Sequence, residues 1–256
     1  MGAYKEGNQP LSPCPPELDP KWRFFWRIGD TQAPEKTKYP LYNMDPVIPV
    51  EFPHWKETMD MWGNKMIDAI YILAEMTANG FGMEQDAFTS RLKFGTQLLA
   101  PTGSDFNALG VEGTVLAGFH YDLNFMTIHG KSRFPGLYIW TRDGTKMSVA
   151  VPDGCLLVQA GKQLEYLTGG AVMAGFHEVV VSHATMETIV RKKELGESLW
   201  RVSSTLFSTI CADVVLSPLA PFNQSADAVR NYPPIDAGAQ VLAELEAISL
   251  AKKSNA

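Results

Sequence analysis

The spacing of apolar side chains changes character along the chain and separates a helical front part from a β-rich remainder. Residues 1–21 are rich in proline and polar residues without periodicity, which is typical of a disordered or extended arm. Residues 22–94 read as an irregular and helical support region. Within it, apolar residues recur at three and four positions and predict a helix over 55–79, ended by Asn79-Gly80. They are Met59, Trp62, Met66, Ile70 and Leu73. A shorter helix is expected over 83–92.

The pattern of residues 95–235 predicts short strands separated by turn residues, which indicates a β sandwich or barrel. The predicted strands cover 95–100, 114–121, 125–129, 136–141, 146–151, 155–160, 171–182 and 199–209. Asp143-Gly144 between two apolar runs predicts a hairpin. The charged segment 186–198 reads as a helical insertion between two strands. A last helix over 236–252 belongs to a C-terminal region, 236–256, that ends in a polar tail.

Composition narrows the class of protein. The chain has 256 residues and a net charge of −6, which argues against a nucleic-acid-binding surface. No apolar run approaches the roughly 20 residues that a membrane helix needs, and the polar N-terminus does not read as a secretory signal. Three scattered cysteines, Cys14, Cys155 and Cys211, favour a reducing compartment. We therefore expect a cytoplasmic protein, most simply a monomer, that binds neither nucleic acid nor membrane.

Two histidines and a carboxylate form the candidate metal site. His120 and Asp122 are two positions apart, so on a strand they project from one face, and His177 would arrive from another strand. Two imidazoles and one carboxylate suit Fe(II) and leave three coordination positions open, although these residues alone also permit zinc. His129 and His183 are alternative ligands. His129 precedes a glycine and suits a turn, whereas His177 follows an apolar segment, and we favour His177.

A candidate anion site follows later in the chain. Arg201 and Ser203 share one face of a predicted strand in an apolar neighbourhood. A guanidinium binds a carboxylate through two parallel hydrogen bonds, and a serine hydroxyl can add a third donor. An internal carboxylate could equally be the partner of this arginine.

The order His-x-Asp, His, Arg-x-Ser over residues 90–212 resembles the isopenicillin N synthase-like family of 2-oxoglutarate- and Fe(II)-dependent oxygenases. The resemblance includes Gly118-Phe119-His120-Tyr121-Asp122 and Val151-Pro152-Asp153-Gly154 with the apolar strand after it. It implies a double-stranded β-helix, or jelly roll, mainly β with flanking α-helices. It also implies that His120, Asp122 and His177 bind Fe(II), and that Arg201 and Ser203 bind the far carboxylate of 2-oxoglutarate. Ascorbate is a further candidate cofactor.

The chain departs from the family pattern at two places. The family usually has Asn-x-Tyr ahead of the first metal strand, where this chain has Gln97 and Leu99, so Gln97 is the candidate cosubstrate contact. The insertion 186–198 lengthens the gap before Arg201, and Arg191 is the alternative if that insertion is not looped out.

The activity implied is an O2-consuming oxidation of a small organic substrate, by hydroxylation, desaturation or ring closure, with succinate and CO2 formed. Two alternatives stay open: an Fe(II) oxidase of the same scaffold that does not use 2-oxoglutarate, and a non-catalytic module that binds metal or carboxylates. Candidate substrate-pocket residues combine strand aromatics with buried amides. They are Phe119, Tyr121, Asn124, Phe125, Tyr138 and Gln159.

Overall fold

The computed structural model describes residues 4–11, 19–29 and 36–253, with side chains described through residue 247. The strands in these residues are β1 (Trp22–Arg23), β2 (Trp26–Arg27), β3 (Gln97–Asp105), β4 (Val115–His120), β5 (Met126–His129), β6 (Leu137–Trp140), β7 (Lys146–Ser148), β8 (Leu157–Ala160), β9 (His177–Val180), β10 (Trp200–Ser208), β11 (Val215–Leu216) and β12 (Ile235–Asp236). The helices are α1 (Trp55–Gly80), α2 (Thr89–Leu92), α3 (Phe106–Leu109), α4 (Lys162–Leu167), α5 (His183–Glu194), α6 (Ala226–Asn231) and α7 (Ala237–Lys253).

Two antiparallel sheets build the fold. The major sheet has the order β1-β3-β10-β5-β8, with β2 also paired to β3. The minor sheet has the order β4-β9-β6-β7, and β11 pairs with β12 in a separate ribbon. Apart from the β6–β7 hairpin, most neighbours in the sheets are distant in sequence, as in a jelly roll, where consecutive strands alternate between two facing sheets. The expected fold class, mainly β with flanking helices, is confirmed.

Helix α1 covers one face of the major sheet and forms the main core with it. Its buried residues are Met59, Gly63, Met66, Ile70, Ala74 and Ala78. The predicted apolar stripe thus lies on the face of α1 that packs against the core. Where the helix comes closest to the core, however, the buried positions are small residues and not Trp62 and Leu73. Gly63 shows why, since a Cβ built there would lie 2.6 Å from Cγ1 of Ile28. Asp60 ties α1 to β2, because it accepts hydrogen bonds from Trp26 Nε1 and the Gly29 amide at 2.8 and 2.9 Å.

Several elements differ from their predicted bounds. The hairpin at Asp143-Gly144 is confirmed, with β6 and β7 in register across it. The helix expected over 83–92 forms only as α2, and the strand expected over 171–182 only as β9. Helix α4 was not expected. Helix α5 begins three residues before the predicted insertion, because Ser182 and Thr185 form a reciprocal capping box at its N-terminus.

Part of the N-terminal segment packs against the minor sheet. Residues 4–11 run along the outer face of the minor sheet, where Trp140 Nε1 donates to the Asn8 carbonyl at 2.7 Å. No helix among the described residues is long and apolar enough to cross a membrane.

Candidate active site

Strand register brings the two candidate metal histidines together. His120 and His177 are direct antiparallel partners on β4 and β9, and their ring centroids are 4.2 Å apart. Both face the interior between the sheets. Strand β4 ends at His120, so Asp122 projects from the connection that follows rather than from the strand itself. One donor atom from each of the three residues lies within 4.8 Å of the other two.

Backbone contacts orient both imidazoles. Nδ1 of His120 lies 2.6 Å from the Gly118 carbonyl, and Nδ1 of His177 lies 3.1 Å from the Gly175 carbonyl. A carbonyl only accepts, so each Nδ1 carries the proton and each Nε2 keeps a free lone pair. A hydrogen bond of this kind at the second ring nitrogen is the usual support of a metal-binding histidine.

Asp122 uses its two oxygens differently. Oδ1 lies 3.8 Å from His120 Nε2 and 4.0 Å from His177 Nε2, whereas Oδ2 accepts a 2.6 Å hydrogen bond from Thr127 Oγ1. Thr127 therefore fixes the carboxylate so that its free oxygen points between the two imidazole nitrogens. Three convergent lone pairs at this spacing fit one cation.

Electrostatics in this cluster favour a neutral imidazole and a charged carboxylate. Burial, together with the neighbouring His177, lowers the pKa of His120 to about 4. Burial alone would raise the pKa of Asp122, but the two histidines and Thr127 outweigh it and hold that pKa below its ordinary value. Metal binding needs these protonation states, so the site is poised for a cation near neutral pH.

A basic cavity of about 390 Å³ extends from this cluster to Arg201. Arg201 is 8% exposed, burial lowers its pKa to about 10, and its Nε has no hydrogen-bond partner. No carboxylate among the described residues lies within 4.0 Å of Arg201. Within that part of the chain, an internal carboxylate is therefore not its partner. A buried cation without a counter-ion is costly, so the cavity has the charge of a binding site for an anion.

Strand parity decides which other residues face this cavity. Ser203 lines it beside Arg201, as expected. Thr102 and Ser104 also line it, and they are the cross-strand partners of Ser203 and Arg201. Gln97 has the opposite parity on β3, and its Nε2 donates to the Thr209 carbonyl at 3.2 Å. Gln97 therefore lies away from the basic cavity in which its contact with the cosubstrate was expected.

His129 also lines the cavity, although its place before a glycine suggested a turn. It is the last residue of β5, opposite Thr205, with its ring centroid 5.9 Å from that of His177. Its Nε2 is buried without a hydrogen-bond partner, and burial lowers its pKa to about 4. It stands outside the three-residue cluster and offers the cavity a neutral imidazole.

The two remaining alternatives, His183 and Arg191, lie at the edge of the site. His183 begins α5, and its side chain is 78% exposed, so it is no rival to His177. The insertion is looped out as α5. Arg191, on that helix, lies at the exposed mouth of the basic cavity, whereas Arg201 lies inside it.

A second cavity of about 480 Å³ lies on the other side of the metal cluster, and His120 and Asp122 line both. Two of the candidate substrate-pocket residues, Tyr121 and Asn124, line this second cavity. Helix α7 supplies one of its walls, which no local feature of the sequence indicated.

Four of the expected substrate-pocket residues line neither cavity. Phe119 stacks on Phe176 on the outer face of the minor sheet, and Tyr138 shares that face, with Lys146 Nζ 4.5 Å from its ring centroid. Phe125 is fully buried in the core with α1, and Gln159 is buried beside His129. Phe119 and Tyr138 lie away from both cavities because alternation along β4 and β6 places them on the face opposite to His120 and His177.

Comparisons with known proteins point to one family, although no family model matches the chain. It is 28% identical over 207 residues to Kihadalactone A synthase LFS of Citrus sinensis, covering 77% of this chain. It is 26% identical over 182 residues to a 2-oxoglutarate-dependent dioxygenase of Gibberella zeae, covering 67%. The chain spans 56% and 43% of these two relatives' lengths.

Solved structures share the fold. A Caulobacter crescentus protein provisionally assigned to the 2OG-Fe(II) oxygenase family superposes with a TM-score of 0.73 at 23% identity, over 89% of this chain and 69% of that one. A full-length Neurospora crassa protein in complex with alpha-KG and thymine gives a TM-score of 0.70 at 19% identity, over 90% and 66%. The chain is thus similar in sequence to a named 2-oxoglutarate-dependent dioxygenase and similar in fold to 2OG-Fe(II) oxygenases, in agreement with the resemblance that its motifs carry.

Proposed function

We propose that this protein is a non-haem Fe(II) oxygenase that uses 2-oxoglutarate to oxidise a small organic molecule. His120, Asp122 and His177 would hold the iron, and Arg201 with Ser203 would bind the far carboxylate of the cosubstrate. One observation carries the proposal: a compact His-Asp-His cluster and a buried arginine without a counter-ion face the same cavity. This pairing is also what favours 2-oxoglutarate over a cosubstrate-free oxidase.

When bound, iron and 2-oxoglutarate supply the oxidising chemistry, in which O2 is consumed, succinate and CO2 form, and the substrate is oxidised. The chain's own groups position the reactants. The Gly118 and Gly175 carbonyls accept from the histidine Nδ1 atoms and so direct each Nε2 toward the metal position, and Thr127 orients the Asp122 carboxylate. The Arg201 guanidinium neutralises a carboxylate that would otherwise be desolvated in the cavity.

The substrate class is open to proposal only in outline. The Neurospora structure contains thymine, and the citrus relative is named Kihadalactone A synthase. Both support a small-molecule substrate for this chain. The free thiols of Cys155 and Cys211 support a reducing compartment such as the cytoplasm, where ferrous iron persists and ascorbate could maintain it.

The test is 2-oxoglutarate turnover. Purified protein supplied with Fe(II), O2 and 2-oxoglutarate should release succinate even without added substrate, and should bind 2-oxoglutarate in anaerobic calorimetry. His120→Ala should abolish both metal binding and succinate release, whereas His183→Ala, at the exposed start of α5, should change neither. Full succinate release by the His120 variant would refute the metal assignment. Metal binding without 2-oxoglutarate binding would favour the oxidase or the non-catalytic module.

A further inference from the structure

The second cavity has a wall unlike that of the first. Its volume of about 480 Å³ falls within the usual range of small-molecule sites, roughly 300–1,000 Å³. Apart from residues near the metal cluster, most side chains that line it are apolar. They include Phe25, Leu98, Leu123, Ile210, Val241 and Leu245. The cavity reaches the metal cluster through His120 and Asp122, so a molecule bound in it would touch the candidate reaction centre.

Polar contacts fix the helix that forms this wall. Gln240 of α7 is 3% exposed, and its Nε2 donates to the Leu123 carbonyl at 3.2 Å. The Tyr42 hydroxyl donates to the Gly238 carbonyl at 2.9 Å, and the Tyr121 hydroxyl donates to Glu244 at 3.0 Å. These contacts lie on several sides of the cavity. Its shape therefore exists before any ligand arrives.

Arg23 is the single lysine or arginine among the residues that line this cavity; it is exposed and, like His120 and Asp122, lines both cavities. Its guanidinium carbon lies 5.6 Å from the Phe25 ring centroid and 5.7 Å from that of Phe207, and its Nε donates to Thr102 Oγ1 at 3.1 Å. Among the described residues no carboxylate lies within 4.0 Å of it. Two rings hold the guanidinium in place and leave its terminal nitrogens for an anion.

We propose that the second cavity binds the substrate, and that the substrate is a small apolar molecule with one carboxylate, which pairs with Arg23. The apolar body lies along Leu98, Ile210 and Val241 toward α7. Arg23 is exposed to solvent, so a wholly neutral ligand bound against it would remove water from the cation without pairing its charge. A second charged group would meet an apolar wall. This inference rests on the proposed oxygenase function, because it assigns the substrate of that site.

Arg23 also lines the basic cavity, so the competing assignment gives it to 2-oxoglutarate. The experiment uses matched probes, 4-phenylbutanoate and the uncharged 4-phenylbutan-1-ol, which differ only at the end that Arg23 would bind. Calorimetric titrations compare anaerobic Fe(II)-loaded protein with protein without added metal. Binding to the metal-free protein reports on the cavity even if the chain proves not to use iron or 2-oxoglutarate, which separates failure of the two proposals.

The acid should bind at least tenfold more tightly than the alcohol. Arg23→Gln should weaken acid binding about tenfold, and should change the dissociation constants of the alcohol and of 2-oxoglutarate less than twofold. Val241→Asp should weaken both probes at least fivefold. Leu242→Asp is its control, because Leu242 is the next residue of α7, is 43% exposed and does not line the cavity. Thermal unfolding of each variant checks that the fold is retained.

Three results would overturn the proposal. The acid and the alcohol could bind equally, with no effect of Arg23→Gln. The Arg23 variant could weaken 2-oxoglutarate and not the acid, which would assign this arginine to the basic cavity. Equal effects of the Val241 and Leu242 variants would show that the probes bind elsewhere.

Discussion

Replacing Arg201 by methionine should weaken the binding of 2-oxoglutarate without destabilising the folded protein. The side chain is buried, its Nε has no partner, and no carboxylate of the described residues compensates its charge. Methionine fills a similar volume without the charge. We expect Arg201→Met to lose 2-oxoglutarate binding while the folded protein becomes no less stable.

The size of the binding loss follows from the lost hydrogen bonds. Two charge-assisted bonds to a carboxylate contribute roughly 1.5–3 kcal/mol each. With Ser203 still present, the lower end of that range gives about 3 kcal/mol in total. At about 1.4 kcal/mol per tenfold, the dissociation constant should rise roughly 100-fold. Arg201→Lys keeps the charge but not the planar fork, and should give a smaller loss, on the order of tenfold.

The size of the stability gain follows from desolvation. Replacing buried charged groups by apolar side chains of similar volume is often neutral or stabilising by about 1–4 kcal/mol. For a chain of this size, 1 kcal/mol shifts the melting temperature by roughly 2–4 °C. We expect the melting temperature of the ligand-free Arg201→Met protein to rise by roughly 2–4 °C for each 1 kcal/mol of stability gained.

Calorimetry with 2-oxoglutarate and thermal unfolding of the ligand-free protein measure the two effects. Arg191→Met is the matched control, because Arg191 lies at the exposed mouth of the same cavity. It should leave the dissociation constant within about twofold, and stability within about 0.5 kcal/mol. If Arg201→Met kept its affinity, or unfolded far more easily than the parent, the reasoning would be refuted and Arg201 would be a structural cation.

Three further substitutions test single contacts. Thr127→Val keeps volume but frees Asp122 Oδ2, and should weaken metal binding about 10–100-fold by competition titration. Hydrogen bonds from Lys56, Gly29 and Trp26 lower the pKa of Asp60 despite burial, so its carboxylate stabilises the fold above its unfolded pKa and loses this effect as pH falls through the lower folded value. The deficit of Asp60→Asn in urea unfolding should therefore shrink toward acid pH. Gly63→Ala should cost about 1–3 kcal/mol, and less in an Ile28→Ala background, where the clash is relieved.

Sequence patterns predicted a helix or turn well where that element depends on residues close together in the chain. The three- and four-residue spacing of α1 and the Asp-Gly turn between β6 and β7 depend on neighbours in sequence, and both were found. Strand 171–182 was overextended, because Gly169 and Gly170 adopt positive φ and the chain up to Phe176 is irregular despite its apolar residues. Helix α4 was missed because its six residues are too short to show a period.

The sequence predicted which residue types form the candidate site better than it predicted how they are arranged in space. The His-x-Asp spacing suggested two side chains on one strand face, but β4 ends at His120 and Asp122 projects from the following connection. The pairing of His120 with His177 depends on register between strands far apart in sequence. Gln97 was assigned by position in a motif, whereas parity on β3 presents Thr102 instead. Such relations need the sheet, since a shift of one residue exchanges its two faces.

The charge of the candidate site differs from that of the whole chain. The chain is acidic overall, with a charge of −6, yet the basic cavity has one carboxylate, Asp122, against six basic side chains. They are Lys21, Arg23, Lys131, Arg133, Arg191 and Arg201. A cavity lined by one sign of charge attracts ligands of the other sign, whatever the sign of the whole surface. The second cavity lacks this excess, so the two linings match the two proposed ligands: a small dianion in the basic cavity, and a mainly apolar molecule with one carboxylate in the second.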